Sequence, residues 1–286
     1  MNELQEINKH INECYAMIDH FIQLNNSEDL KYICSWSGGK DSTATIILAH
    51  LNNEPLDIIL FSEVMYCNKR GISGENPRHI DFIKNKAKPL FESWGYEVHI
   101  LHAEKDYLDC FYHICEKPRK IMSNKGKYTG FAPRGLCNVK RDCKIKPMND
   151  FYKTINEPYI KYVGICADEP KRLDSLHKDS QQVSLLEKYG YTEQMAKELC
   201  MEYDLLSPSY ELSKRGGCWF CPNAKLAEHR ELKQTMPDIW EEFVSLEDVP
   251  NLANYKWNVF GDTLHEIDEQ LKLEDAQMTI FDFLDN

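Results

Sequence analysis

The chain has 286 residues, 42% of them hydrophobic, a net charge of −12 and eleven cysteines. That apolar content supports a sizeable core and excludes wholesale disorder, while the acidic balance excludes a generally basic nucleic-acid binder. No apolar run approaches the ~18 residues that a membrane span needs. The opening Met1-Asn2-Glu3-Leu4-Gln5-Glu6 has neither the basic nor the apolar region of a secretory leader, so the expected compartment is the cytoplasm. There, an odd cysteine count reads as reduced thiols, a metal site or a cluster rather than a disulfide framework.

In chain order, Leu4, Ile7, Ile11, Cys14, Met17, Ile18 and Phe21 recur at three- and four-residue steps and predict an N-terminal helix within 1–27. Tyr32 to Trp36 is a short apolar run stopped by Gly38-Gly39, which predicts a buried strand, and Ser42 to Leu51 then reads as a helix. Leu56–Phe61 is a second strand, 78–93 a helix, Glu97–Leu101 a third strand and Ile160–Ile165 a fourth. Strands alternating with helices predict an α/β fold, a Rossmann-like doubly wound parallel sheet over 28–170. From about 171 the alternation stops, and the periodic segments 180–204 and 224–245 predict a mostly helical, cysteine-containing region to 270. Residues 271–286 form an acidic tail.

The charge is unevenly spread. Residues 117–146 hold ten Lys or Arg against the single acid Asp142, whereas 228–286 hold fifteen acids against four bases. The basic segment predicts a polyanion-facing surface, with Arg134, Lys140, Arg141, Lys144 and Lys146 as the candidate contacts to a nucleic acid.

Ser37-Gly38-Gly39-Lys40-Asp41-Ser42-Thr43 lies between the first strand and its helix. Two glycines let backbone approach an anion, the helix start aims N–H groups at it, Lys40 adds a point charge, and Ser37, Ser42 and Thr43 supply hydroxyls. A Walker A pattern is absent. The loop resembles the PP-loop of ATP pyrophosphatases, the adenine nucleotide α-hydrolase group, which implies ATP bound by its phosphates, attack of an acceptor at the α-phosphorus, and Asp41 holding Mg²⁺.

Further residues resemble the phosphoadenylyl-sulfate (PAPS) reductase-like branch of that group. Glu63 and then Glu75-Asn76-Pro77 are similar to its acidic and E-x-P elements framing adenosine. Gly164-Ile165-Cys166-Ala167-Asp168-Glu169-Pro170-Lys171-Arg172 is similar to G-I-R-x-x-E-S-x-R, with Glu169 and Arg172 retained as candidate catalytic residues. Cys137 to Pro147 resembles C-x-x-x-x-K-x-x-P with altered spacing. An intact loop and the lack of a Cys-Gly-Leu-His terminus set the chain apart from the true reductases. Gly217-Cys218-Trp219-Phe220-Cys221 resembles the G-C-W-x-C signature of the ATPase component of DNA phosphorothioation.

Cys218-x-x-Cys221 before Pro222 has the spacing of a two-ligand half-site, with Cys137 and Cys143 as the other half. A structural zinc or an iron–sulfur cluster would each satisfy four thiolates, and the resemblance implies a [4Fe-4S] cluster. Cys67 and Cys166 are substitutes; other cysteines such as Cys110 read as core fillers. Finally, Gln277-Met278-Thr279-Ile280-Phe281 resembles the peptide that binds a bacterial sliding clamp. The expected activity is adenylation of an acceptor, with sulfur transfer to a nucleic acid as its purpose. A sulfonucleotide reductase and a non-catalytic nucleotide sensor in a phage or defence system are the rival readings, and a homo-oligomer is a further expectation.

Overall fold

A computed structural model describes residues 30–118, 121–132, 137–212, 217–258 and 261–284, with the side chains of 277–284 left undescribed. The predicted N-terminal helix and Arg134 therefore lie outside the described residues. Two compact units interleave along the chain, where the sequence reading drew consecutive segments. The first comprises the described residues to Phe61, Asn85–Ile100 and Asp150–Leu206; the second comprises Ser62–Lys84, Leu101–Asn149 and the described residues from Ser207 onward.

The strands in chain order are β1 (Lys31–Trp36), β2 (Ile58–Glu63), β3 (Met65–Cys67), β4 (Ile72–Ser73), β5 (Glu97–His102), β6 (Tyr128–Gly130), β7 (Tyr159–Tyr162), β8 (Gln182–Val183) and β9 (Leu252–Asn254). Five of them form one sheet in the order β5-β2-β1-β7-β8. The pairings β1–β2, β1–β7 and β7–β8 are parallel, as expected of an α/β fold whose strands alternate with helices. Every residue of β2 is buried, which explains why it reads as an unbroken apolar run rather than an alternating one. The first unit packs Ile33 and Trp36 of β1 with Ala44, Ile47 and Leu48 of the following helix and with Phe91, all nearly inaccessible.

Three expectations change. The fourth strand stops at Tyr162 instead of Ile165, because Ile165 N–H turns back to Val163 O at 3.1 Å. The alternation continues beyond 171: β8 adds a fifth strand, too short at two residues to show a period. The helix over 78–93 is Pro77–Phe82, a π turn Ile83–Ala87 and Lys88–Ser93. Pro89 has no N–H to donate into the preceding turn, a common cause of such interruptions. A second π turn, Lys140–Ile145, precedes Pro147 in the same way. Here the Ser62 hydroxyl donates to Cys143 O at 3.4 Å, the carbonyl four residues before that proline.

The second unit is built around an aromatic core that includes Tyr66, Tyr107, Phe131, Trp219, Trp240 and Phe243. β3 and β4 form an antiparallel pair, and β6 and β9 a parallel one. No helix among the described residues is long and apolar enough to cross a membrane.

Candidate functional site

From β1 the sheet steps outward through β2 to β5, then returns to β7 on the other side of β1. In open α/β sheets the ligand crevice lies outside the carboxyl ends of the strands where the order reverses. The carboxyl ends of β1 and β7, both in the first unit, carry the two segments singled out by sequence, 37–43 and 164–172.

Gly38 has φ of 71°, in the left-handed region that favours glycine. Gly39 is the N-cap of the helix Lys40–Leu51, and no side chain caps it. The start of that twelve-residue helix is therefore open to an anion. Ser37 and Ser42 knit the turn internally. The Ser37 N–H donates to Ser42 Oγ at 3.1 Å, and the Ser42 hydroxyl donates to Gly39 O at 3.1 Å. Thr43 Oγ1 is buried and accepts from the Trp36 indole N–H at 2.9 Å, so its hydroxyl locks the helix onto β1. Gly164 lies directly against this helix start: a Cβ there would meet Ser42 N at 2.6 Å and the Asp41 carbonyl carbon at 2.8 Å.

Lys40 Nζ sits between two carboxylates, Asp41 Oδ1 at 2.6 Å and Glu193 Oε2 at 3.0 Å. Burial works against its charge, but the hydrogen bonds it donates to Asp41 and Glu193 outweigh burial and hold the ammonium well above its ordinary range. Asp41 also accepts from the Cys166 thiol at 3.3 Å, and the Cys200 thiol donates to Lys40 O at 3.2 Å. Burial pushes the Cys200 thiol up to about 12 and raises the Cys166 thiol, aided there by the Asp41 charge, so both are protonated donors. Glu169 accepts from Cys166 N–H at 3.0 Å and from Arg172 Nη1 at 2.6 Å, which fixes the turn that presents Cys166. Sequence reasoning missed Glu193 and Cys200. Both sit on the helix Glu193–Glu202, some 150 residues from the loop, and nothing in their own neighbourhood marks them.

The predicted thiols gather in the second unit, with the predicted acidic residues Glu63 and Glu75. Glu75 and Cys218 form an antiparallel bridge, reinforced by Asn76 N–H to Gly217 O at 3.2 Å and Trp219 N–H to Gly74 O at 3.0 Å. The E-N-P element thus anchors the C-W-F-C segment. Cys110, read from sequence as a core filler, has its sulfur 3.7 Å from that of Cys143. Cys137 is influenced electrostatically by Cys221 and Cys110, and Cys218 by Cys221 and Cys137. The sulfurs also attract donors: Lys140 N–H to Cys137 at 3.3 Å and the Asn223 amide to Cys221 at 3.8 Å. Burial raises the Cys137 and Cys218 thiols, and the buried Glu75 carboxylate adds to the rise at Cys218. Glu75 Oε2 is buried without a hydrogen-bond partner. Among the described residues no three His, Cys, Asp or Glu side chains already stand in metal-binding geometry. The ten described cysteines are all unbridged.

No family model matches the chain, and no curated protein does. A solved structure, the U34-tRNA thiolase NcsA from Methanococcus maripaludis with its [4Fe-4S] cluster, is similar over 85% of this chain and 72% of that one, at 16% identity and a TM-score of 0.37. That likeness is too distant to carry a function across.

The remaining predicted residues separate. Glu63 is fully buried and holds Lys84 at 2.9 Å and His102 at 2.8 Å. Burial opposes its charge, but the bonds from Lys84, Ser73 and His102 outweigh it and hold the carboxyl below its usual range. In the basic segment Lys140 and Arg141 are exposed, Arg141 pairs with Asp142 at 2.6 Å, and Lys144 lies 3.9 Å from Glu75. Gln277–Phe281 falls within the helix Leu264–Leu284, but its side chains lie outside the described ones.

Proposed function

We propose that this chain is a PP-loop ATP pyrophosphatase that adenylates an acceptor for sulfur transfer to a nucleic acid. The observation that carries the reading is the 37–43 loop at the strand-order reversal, where an uncapped twelve-residue helix begins at Lys40.

An acceptor oxygen attacks the α-phosphorus of ATP, the α–β phosphoanhydride bond breaks, and pyrophosphate departs with the bond's electron pair. Lys40 and the backbone amides at the helix start stabilise the charge that develops on that leaving group. Asp41 would hold Mg²⁺, which would supply charge neutralisation at the phosphates, and Glu169 and Arg172 keep the Cys166 turn in place. Sulfide then attacks the acceptor atom that bears the adenylate, the bond from that atom to its oxygen breaks, and AMP leaves carrying the oxygen and the bond's electron pair, so that sulfur takes the oxygen's place.

Cys137, Cys143, Cys218 and Cys221, with Cys110 beside them, would hold a [4Fe-4S] cluster. Thiols from three separate segments and N–H donors directed at sulfur suit that group. When bound, it supplies a place to hold the transferred sulfur. The neutral state of Cys137 and Cys218 means that metal uptake releases protons. Lys140, Arg141, Lys144 and Lys146 supply phosphate contacts for the nucleic acid, and Gln277–Phe281 supplies a clamp-binding peptide.

The test is release of AMP and pyrophosphate from ATP with DNA and RNA acceptors, against Lys40→Ala as control. No release with any nucleic acid sinks the proposal, and sulfite formed from PAPS would establish the reductase reading instead. Anaerobic purification with iron, zinc and sulfide analysis tests the thiols. Cys221→Ser should lose iron and the cluster's visible absorbance, whereas stoichiometric zinc would make the site structural.

A further inference from the structure

Between His113 and Thr129 the second unit carries a loop whose two ends pair with each other. Cys115 N–H donates to Lys127 O at 2.8 Å, Gly126 N–H to Cys115 O at 2.9 Å and Thr129 N–H to His113 O at 2.8 Å. The Asn251 side-chain amide donates to Gly126 O at 3.3 Å, and β6 pairs with β9 just beyond, so the foot of the loop is tied down. Its tip is a 3₁₀ turn, Met122–Asn124, closed by Asn124 N–H to Ile121 O at 3.0 Å and Lys125 N–H to Met122 O at 3.1 Å. Backbone bonds shape the tip, so its side chains are not needed to hold it.

Those side chains are the wrong kind for water. Ile121 is 58% exposed and Met122 71%, the highest value for a large apolar residue among the described ones. A single exposed apolar residue is ordinary on a surface and needs no cause. Two in succession at the tip of a tied loop, set among charges, are a different matter. The sequence 116–127 holds five bases, including Lys117, Lys125 and Lys127, against the single acid Glu116. Lys117 and Lys125 are exposed, like the tip between them.

The partner has to satisfy both chemistries. Lysines on either side of an apolar tip suit closely spaced phosphates with flat, apolar rings beside them, which describes a nucleic-acid strand. Ile and Met are among the side chains that enter a base step and part the stack. An anionic bilayer also combines charge with an apolar interior, but it is flat and would repel the acidic remainder of a chain with net charge −12. A strand touches only a narrow track, so the charge balance favours nucleic acid.

We propose that Ile121 and Met122 form an apolar wedge that enters between neighbouring bases of the acceptor, while Lys117, Lys125 and Lys127 hold its phosphates. The proposal rests on the nucleic-acid acceptor of the reading above and deepens it by naming the substrate class. Parting a stack costs least where bases are already unpaired. The acceptor is therefore a strand with a bulge, loop or mismatch rather than a regular duplex.

The experiment uses RNA and DNA hairpins carrying 2-aminopurine, a base whose fluorescence rises on unstacking, placed either in a bulge or in an uninterrupted stem. The full chain should bind the bulged hairpin about tenfold or more tightly than the paired one, with a rise in fluorescence. Ile121→Ser combined with Met122→Ser should abolish the rise and most of the preference, and leave the salt dependence of binding unchanged. Lys117→Ala combined with Lys125→Ala should do the converse, keeping the preference and making the salt slope shallower by about one to two. All four residues are exposed, so neither pair of changes removes core packing. The proposal is overturned if no hairpin binds, if bulged and paired hairpins bind alike, or if the serine pair leaves the rise intact. Vesicles of phosphatidylserine and phosphatidylcholine are titrated alongside: vesicle binding lost in the serine pair, with hairpin binding unchanged, overturns it in favour of a membrane contact. Pyrophosphate release from ATP is followed on the same proteins. Release with nucleic acid but no fluorescence rise overturns the wedge alone, and a serine-sensitive rise without release overturns only the adenylation chemistry.

Discussion

Replacing Glu193 by Gln should tighten ATP binding, a direction opposite to that of most substitutions in a nucleotide site. Glu193 Oε2 lies 3.0 Å from Lys40 Nζ, and any phosphate that uses Lys40 must compete with it. The glutamate side chain is 55% exposed and the lysine 13%, so the pair is screened on one side and contributes about 0.5–1 kcal/mol. Removing that competitor converts to about a two- to fivefold lower Kd. Asp41, at 2.6 Å on the same ammonium, still holds Lys40 charged and in place. Lys40→Ala should instead lose charge-assisted phosphate bonds of about 1.5–3 kcal/mol, weakening ATP by about 10- to 150-fold. Calorimetric titration with ATP, with and without Mg²⁺ and at two salt concentrations, reads both effects, and the Glu193→Gln gain should shrink at high salt. Weaker ATP binding in Glu193→Gln, above all only with Mg²⁺ present, would refute the competition argument and make Glu193 a ligand of the nucleotide's metal.

Gly164→Ala places a methyl 2.6 Å from Ser42 N and 2.8 Å from the Asp41 carbonyl carbon, backbone that cannot swing aside. It should lower stability by about 1–3 kcal/mol in urea unfolding and weaken ATP, and an unchanged midpoint would contradict the close approach. Asp268 is surrounded by Lys272 at 2.6 Å, the Trp240 indole N–H at 2.7 Å and Lys233 at 3.0 Å. Burial opposes its charge, but these three donors win and bring the carboxyl down to about 2. A folded-state value below the unfolded ~3.9 means stabilisation that is complete above that pH and disappears as pH falls through 2. Asp268→Asn should therefore cost about 2 kcal/mol at neutral pH, with the gap from the parent closing in acid; a pH-independent gap would be wrong for this cause. For His229 the unfolded chain takes its proton near pH 6.5 and the folded chain near 4. Stability should thus fall by about 2 kcal/mol between pH 7 and pH 5, and His229→Phe should flatten that slope in denaturant titrations at each pH.

What could be read from the sequence was whatever is local. The loop 37–43 is legible because strand, glycine turn and helix are contiguous, so its backbone follows from one short segment. The main-sheet strands were legible from their apolar runs, except β8, whose two residues leave no period to read. The π turns at 83–87 and 140–145 were signalled by Pro89 and Pro147, residues that a hydrophobic pattern passes over. Distance along the chain hid the rest. Glu193 reaches Lys40 only because the helix Glu193–Glu202 returns beside the helix Lys40–Leu51. Cys110 looked like one small apolar residue among others, and being 3% exposed it is that as well. Its nearness to Cys143 depends on folding segments 33 residues apart.

The state of each group was hidden for the same reason. Sequence offers the Thr43 hydroxyl as a candidate phosphate donor, but whether it faces outward depends on Trp36, whose buried indole needs an acceptor and finds Thr43 Oγ1 at 2.9 Å. Sequence places a lysine at 40, but its two carboxylate partners set how much of its charge an incoming phosphate meets. A motif therefore specifies which chemistry a segment can perform, and the tertiary partners set how much of it is available before a ligand arrives. The Glu193→Gln measurement separates those two contributions, because it alters a partner and leaves every residue of the motif in place.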